Sequence, residues 1–469
     1  MLDTCARKAR QMGKGARSLE RPMFEMLERA AGRLSLHMPG AQGRAPFGAI
    51  DPYRLDTTEL PVTDDLYAPE GAIARAQELA ARSAGAAHTI LLHGGSTAGI
   101  HAMLLYAARR GEQVILPRNV HVSALNLCAT AGLEPVFARP VYTPDGLPYT
   151  PQESYLEALE AHPHARAMLV VRPDYYGGLY WPDDAVARAH ALGMLVLCDE
   201  AHGAHLNWDA QTPNALELGA DVCVQSAHKT LPALTAGAWL HAGAGADAAR
   251  LTRMLRMVQT SSPAFVGLLS LDDARAWMDA HGAASLEALK RAARPFYAQA
   301  AKLGYAEGGA MRGFACDETR LVLEAPQGGF ALAGQLARMG LDVEMSDERR
   351  IVCILSLMDG ESRLRRLLAA LEVIGPQTAQ TARPLEAPPR ELPERAAALG
   401  EAAFAPYEAV ALRAAVGRIS AAHVGLYPPG TALLTAGERV TPMLAEYLSG
   451  LEPARVFGLN ADGTLNCVQ

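Results

Sequence analysis

The sequence predicts an α/β protein, with a mostly parallel sheet covered by helices on both faces and a smaller α+β domain after it. Three observations carry this prediction. Helical and extended patterns alternate from about residue 71 to residue 180. Two short apolar runs, MLVLC at 194–198 and VCV at 222–224, each empty into a cluster of polar residues. After about residue 312 the texture changes to brief strands separated by two helices. Strands alternating with helices form parallel sheets, and ligands of such sheets collect beyond the carboxyl ends of the strands.

Taken in order, residues 1–20 read as a disordered extension. Its basic residues (Arg7, Lys8, Arg10, Lys14, Arg17) lack the apolar segment of a secretory signal, and an organelle transit peptide is the rival reading. Residues 22–33 have helical apolar spacing (Met23, Met26, Leu27, Ala30), which the Leu36-His-Met-Pro-Gly40 stretch breaks. Helices are then expected at 71–84, 100–110, 123–131 and 183–192. Strands are expected at 89–92, 113–116, 135–138, 167–171 and 194–198. Residues 251–280 read as helical, interrupted by Thr260-Ser-Ser-Pro263. The smaller domain offers strands at 321–324, 343–345 and 351–357 and helices at 329–339 and 361–374. Residues 377–393 are rich in proline and read as an extended linker to a terminal unit carrying Tyr427-Pro-Pro-Gly430. The chain is accordingly divided into an N-terminal extension and helix (1–50), a large domain (51–310) and a small C-terminal domain (311–469).

The 469 residues, half of them hydrophobic and a fifth charged, suit a soluble globular protein of two or three domains. A net charge of −7 gives no bulk attraction for nucleic acid or an anionic membrane. No apolar run approaches the roughly 18 residues of a membrane helix. The seven cysteines are odd in number, scattered and never spaced CxxC, which points to reduced thiols, a cytoplasmic location and no metal site.

The polar clusters at the strand ends carry the chemistry. Lys229 lies in Ser226-Ala-His-Lys, just past the 222–224 run. A lysine is rarely buried unless it is paired or reacting, and an imine with an aldehyde removes its charge. The bland alternative is a surface lysine at a strand end. Thirty positions earlier (199 against 229), Asp199 ends the 194–198 run. It could cap a helix, or it could hold a pyridine nitrogen protonated. Together a lysine and an aspartate so placed are what pyridoxal phosphate chemistry requires.

Gly94-Gly-Ser-Thr-Ala-Gly99 follows one strand and opens a helix. Its backbone N–H groups and the hydroxyls of Ser96 and Thr97 would hold a phosphate. The rival nucleotide site lacks both a GKS/T lysine and GxGxxG, so the phosphate of the same cofactor fits better. His121 could stack on a ring face or be a plain loop histidine. His202 and His205, even with Glu200, do not form a defined metal-ligand set.

The ordered motifs LHMPG (36–40), DTTELPVTDDL (56–66), GGSTAG (94–99), RNVHVS (118–123), DEAHGAH (199–205), SAHKTLPALTAG (226–237), QTSSPAF (259–265), VGRISA (416–421), YPPG (427–430) and AGE (436–438) resemble the Orn/Lys/Arg decarboxylase family. The likeness runs from about residue 22 to the C-terminus and is nearest to the small bacterial arginine/lysine decarboxylases that lack an N-terminal wing domain. It implies a fold type I, aspartate aminotransferase-like architecture and pyridoxal 5'-phosphate as cofactor. It also implies decarboxylation of arginine, lysine or ornithine to the amine, feeding polyamine synthesis. By the resemblance, Lys229 binds the cofactor aldehyde, Asp199 pairs with its ring nitrogen and His121 stacks on the ring. Ser96, Thr97, Ser226 and His228 hold its phosphate side and Ala201 packs on the ring. His202, like Lys229, is a candidate to return a proton to the substrate. The region of Thr260 and Ser261 reaches the partner's site in such dimers, so a homodimer or a multiple of one is expected.

The sequence departs from that pattern at several points. PGHK of the family is Pro39-Gly-Ala-Gln42 here, a Pro-Thr-Tyr segment is Pro173-Asp-Tyr175, and Arg172 stands where a small residue is usual. An acidic residue after the GRISA-type motif is replaced by Ala422. Asp174 and Glu438 are the candidates to grip the distal cation of a basic substrate. Arg172 or Arg418 would instead suit a carboxylate, and with it an aminotransferase or lyase. The altered 39–42 segment also allows a cofactor-binding homologue with weak activity.

Overall fold

Seven strands form the central sheet of the computed structural model: β1 (His88–Leu92), β2 (Gln113–Pro117), β3 (Glu134–Ala138), β4 (Ala167–Val171), β5 (Leu195–Asp199), β6 (Val222–Gln225) and β7 (Ala238–Ala242). The structure describes residues 21–469 apart from 49, 61, 145, 310–312, 376–387, 428–429 and 452–454. The expectation of disorder over 1–20, most of the proline-rich stretch 377–393, and Pro428-Pro429 lie outside the described residues. The sheet order is β1-β7-β6-β5-β4-β2-β3, and only β7 runs antiparallel to its neighbours. A mostly parallel sheet is thus present, as the alternating pattern predicts.

The connecting helices include α1 (Ala72–Ala84), α2 (Gly95–Ala107), α3 (Val122–Ala131), α4 (Gln152–Ala161) and α5 (Asp183–Ala191). The sheet is apolar on both faces because side chains alternate along each strand. Val114 and Leu116 of β2 face one layer, with Ile100, Met103 and Leu104 of α2 and Leu125 of α3. Ile115 faces the other, with Tyr155 and Leu159 of α4 and Ala185 and Ala189 of α5. Each of the buried Val, Leu, Ile and Met side chains among these contributes about 1.5–3 kcal/mol. Helix α2 lies so close to the sheet that a Cβ at Gly99 would overlap Val224 of β6.

After β7 come α6 (Ala248–Leu255) and the 38-residue α7 (Phe265–Lys302). The interruption expected at 260–263 is real, but the second helix runs well past the expected end at 280 and accommodates Pro295. A smaller antiparallel sheet follows in the order Ala306–Glu307, Arg320–Glu324, Arg350–Ile354, Met345–Ser346. Helices Gly329–Arg338 and Gly360–Ile374 accompany it. The last stretch pairs Tyr407–Ala411 with Thr464–Val468, and Val424–Leu426 with Ala432–Leu434 and Val456–Phe457. Residues 35–469 pack as one unit, and the exposed helix Pro22–Ala31 belongs to the other. Among the described residues no helix is long and apolar enough to cross a membrane.

Candidate active site

The carboxyl ends of β1, β2, β4, β5 and β6 open onto one cavity of about 650 Å³. Strand β6 ends at Gln225, and the short helix Ala227–Thr230 turns Lys229 onto the cavity wall. Strand β5 ends at Asp199, whose carboxylate shares that wall and accepts the Ala201 N–H at 3.1 Å. A parallel neighbour placed one strand over puts the two ends side by side, which is why a spacing of one βα unit in sequence becomes adjacency in space.

Burial pushes the Lys229 amine below the usual lysine range, and the Arg320 guanidinium adds to this; the carboxylates of Asp199 and Glu344 oppose it. Lys229 Nζ lies 3.3 Å from His202 Nε2, and Arg320 Nη2 donates to His202 Nδ1 at 2.9 Å. His202 is buried and is held well below the ordinary imidazole range by burial and by the Lys229 and Arg320 charges. His121 caps α3, its Nδ1 accepting from the Ser123 N–H and from Ser123 Oγ at 2.8 Å, and burial lowers its affinity for a second proton. His228 Nδ1 donates to the Gly237 carbonyl at 3.0 Å, and burial favours its neutral form as well.

At the other end of the cavity the first turn of α2 presents Gly95, Ser96 and Thr97, opposite His228, Thr235 and Ala236. The N–H groups of a first helical turn have no intrahelical partner, and the helix dipole favours an anion there. A Cβ at Gly95 would meet nothing within 4 Å, while the Gly95 N–H itself donates to the Ala236 carbonyl at 2.9 Å, which leaves the donors that follow it in the turn.

These residues fit pyridoxal 5'-phosphate. The first turn of α2, an amine whose proton affinity burial lowers, a carboxylate and an imidazole all line one space. The buried Ser226 Oγ, behind the cavity wall, has no hydrogen-bond partner in the protein. No group of three or more His, Cys, Asp or Glu side chains is placed to hold a metal among the described residues. His205 pairs with Asp317 at 3.1 Å, and Glu200 with Arg172 at 3.4 Å.

Of the residues singled out from sequence, Lys229, Asp199, His121, His202, Ser96, Thr97, Ala201, His228 and Asp174 share the cavity wall. Asp174 Oδ1 accepts the N–H groups of Tyr176 and Gly178, so part of its acceptor capacity shapes its own loop. Ser226, Arg172, Glu438, Thr260 and Ser261 are not on that wall. Arg172 is buried against Glu200 and the Leu179 carbonyl, and burial pushes the Glu200 carboxyl up to about 7. Glu438 is buried in a two-oxygen contact with Arg118, at 2.9 and 2.5 Å, and also accepts the Thr435 N–H. Both departures have one cause: a buried charge takes the nearest opposite charge, and motif position does not reveal that partner. Thr260 and Ser261 are exposed, in the loop between α6 and α7.

Sequence reasoning missed several residues at the site. Tyr175 lies on the wall, edge-on to His202 with ring centroids 5.0 Å apart, and donates to Glu344 at 2.5 Å. Glu344 also accepts the Met38 N–H at 2.9 Å. Tyr427, Thr431 and Phe457 bring the C-terminal part of the chain to the same wall. Tyr427 carried a signal as the first residue of the YPPG motif, and Tyr175 as the last of the Pro173-Asp-Tyr175 segment.

A model of the Orn/Lys/Arg decarboxylase major domain matches residues 50–295, and one of the family's C-terminal domain matches 380–456. The chain is 30% identical to an arginine decarboxylase of Bacillus anthracis over 92% of each chain. It is 32% identical to the uncharacterized protein YaaO of Bacillus subtilis, over 92% of this chain and 94% of that one. Among solved structures it resembles lysine decarboxylase A of Pseudomonas aeruginosa, with a TM-score of 0.73 at 19% identity, over 94% of this chain and 81% of that one. Lysine decarboxylase LdcF of Francisella novicida gives a TM-score of 0.74 at 16% identity, over 86% and 72%. The fold is therefore that of the fold type I pyridoxal phosphate decarboxylases. With cavity, lysine and aspartate in place, the chain belongs to the Orn/Lys/Arg decarboxylase family of pyridoxal phosphate-dependent enzymes.

Proposed function

We propose that this protein decarboxylates a basic amino acid (arginine, lysine or ornithine) to the corresponding amine, a step that supplies polyamine synthesis. The observation that carries this reading is the juxtaposition of Lys229 and Asp199 on one cavity, with the lysine amine's affinity for a proton lowered by burial. An unprotonated Nζ is the form that can bond to a carbonyl carbon. Bound there, pyridoxal phosphate supplies an electron sink for the pair left on Cα when CO2 departs.

The protein's own residues do the rest. Asp199 would hold the ring-nitrogen end of the cofactor, His121 would lie against its ring, and Ser96, Thr97 and His228 would hold its phosphate end. The apolar enclosure favours loss of a carboxylate as neutral CO2. Lys229 and His202, 3.3 Å apart, are the groups able to return a proton to Cα. Asp174 is the acidic wall residue able to meet a distal cation. The exposed Thr260-Ser261 loop supports a homodimer in which it approaches the partner's cavity. The six cysteines of the described residues are all free thiols, which supports a cytoplasmic setting.

Carboxylate binding by Arg172 or Arg418, as an aminotransferase would need, finds no support. Arg172 is engaged by Glu200, and Arg418 by Glu408 and the Val468 carbonyl. Two measurements test the proposal. Adding pyridoxal phosphate is expected to give a visible absorption band that Lys229→Ala lacks. The loaded enzyme, offered the twenty amino acids and ornithine, is expected to release CO2 and amine from a basic one. Keto acid without CO2, or no turnover on the whole panel, would overturn it.

A further inference from the structure

We propose that Arg320, at the start of the small-domain strand Arg320–Glu324, is a positioning residue: it fixes His202 as the neutral Nε2–H tautomer and thereby keeps the Lys229 amine unprotonated. The proposal rests on reading Lys229 as the cofactor-linked lysine.

A guanidinium carries only donors and does not lose its proton in proteins. Its Nη2 sits 2.9 Å from His202 Nδ1, so that nitrogen must present a lone pair. The proton of the neutral ring is then on Nε2, 3.3 Å from Lys229 Nζ. That N–H needs an acceptor. An ammonium offers none, whereas a free amine offers one lone pair. The chain of donors therefore runs one way, from Arg320 through His202, and ends on an unprotonated lysine.

The other groups facing these two side chains sharpen the argument. Asp199 and Glu344 both pull Lys229 toward its charged form. Tyr175 meets the His202 ring edge-on and offers it no charge at 5.0 Å between centroids. His121 and His228 are both displaced toward neutrality by burial. Arg320 is thus the group that works against the two carboxylates. Burial in water's absence works in the same direction, but it does not select a tautomer.

Arg320 also has an unusual feature of its own. It is only 5% exposed, and its Nη1 is buried with no hydrogen-bond partner. A buried donor left unpaired costs about 1–3 kcal/mol, and such groups are uncommon in folded proteins. An arginine retained merely for packing would be expected to satisfy both nitrogens. Here Nη2 is committed to an active-site imidazole and Nη1 is left without a partner.

The test has two arms. In the first, ring nitrogen spectra of 15N-histidine-labelled apoprotein are recorded near neutral pH, with His202 assigned by the signal lost in His202→Gln. A pyrrole-type Nε2 and a pyridine-type Nδ1 are expected; the opposite tautomer or a charged ring overturns the proposal. In the second arm, the visible band formed on adding pyridoxal phosphate to apoprotein is followed against pH. Arg320→Met is expected to raise the midpoint of capture by about one pH unit, a tenfold loss of free amine on the acid side, and Arg320→Lys to recover most of it. In a His202→Gln background the same substitution is expected to shift the midpoint far less. An equal shift in both backgrounds would mean that Arg320 acts by charge alone, and an unshifted midpoint in a folded Arg320→Met protein would mean that it does not act; either overturns the proposal. If Arg320→Met does not fold, the ring spectra decide. If wild-type protein gives no band, the lysine reading fails while the ring spectra still judge Arg320.

Discussion

Glu200 shows how burial and pairing compete at a single side chain. It adjoins Asp199 in sequence yet points away from the cavity, taking hydrogen bonds from Gln225 Nε2 and the Ala215 N–H, with Arg172 at 3.4 Å. Desolvation is the largest influence and raises its carboxyl to about 7, from an ordinary value of 4.5. The folded chain then binds a proton between those values that the unfolded chain has lost. The associated stability is whole below 4.5 and is lost as pH rises through 7. Glu200→Gln keeps the shape and has no proton to lose. Between these two pH values its stability relative to wild type is expected to rise, by up to ~3 kcal/mol. Denaturant titrations at both ends measure it; an unchanged difference would show that Arg172 keeps Glu200 ionised throughout.

At this scale the sequence was legible where chemistry sits at a strand end. Lys229 and Asp199 stand out because polar residues close two apolar runs, and the sheet then brings those ends together. Arg320 and Glu344 gave no such signal. They enter the site from another part of the chain, and an arginine before a strand or a glutamate after one looks the same wherever it folds.

Among the elements, the short turn Pro39-Gly40 is packed directly on the segment that carries Lys229. The Gly40 N–H donates to the His228 carbonyl at 2.7 Å. A Cβ at Gly40 would come within 2.6 Å of the Thr230 carbonyl carbon and 2.8 Å of the Leu231 nitrogen, both backbone atoms that cannot swing aside. Gly40→Ala is therefore expected to cost about 1–3 kcal/mol, the usual range for an overfilled site, and to weaken cofactor capture as well. Thermal unfolding and the pyridoxal phosphate titration check the two halves; a variant as stable as wild type would show that the turn has room to move. The neighbouring Gln42, where the family pattern has lysine, donates to the His37 and Ile354 carbonyls, which gives it a structural task.

Most helices and strands between 71 and 225 lie within a few residues of where apolar spacing puts them, the start of α2 excepted. Helix α4 and, just past that range, strand β7 are the longer elements that escaped. Helix α4 (Gln152–Ala161) is half polar, with only four buried residues, so its periodicity is faint. Strand β7 is buried along its whole length, so alternation is absent. Its His241, which looks foreign to a core, bonds Thr89 at 2.7 Å and Gln225 at 3.0 Å across the two flanking strands. Neither partner can be known before the pairing is.

Over the whole molecule, the cavity is a joint product of distant parts of the chain. Arg118, three residues before His121, donates to the Ala432 and Leu433 carbonyls and grips Glu438, so the loop after β2 is bolted to the C-terminal strands. Phe137 adds its ring face to both Arg118 and Arg395, with centroid distances of 4.4 and 5.5 Å. Removing one partner of a buried ion pair strands the other. Glu438→Gln is expected to cost about 3–5 kcal/mol and to loosen Tyr427 and Thr431 on the cavity wall. Denaturant unfolding together with the cofactor dissociation constant measures both effects. Unchanged values would show that Arg118 is held by the carbonyls alone.

That bolt bears on how the protein can be taken apart. A fragment ending near residue 376 would keep the lysine, the aspartate and the phosphate cradle, losing only the last three of the recognition motifs (416–421, 427–430 and 436–438). It would also leave a permanent cation stranded in an oily cleft and one side of the reaction chamber missing. Such a piece is expected to stay insoluble until the severed tail is supplied in trans, a complementation assay in which the two halves meet through Arg118 and through the core contacts of Leu399 and Ala432.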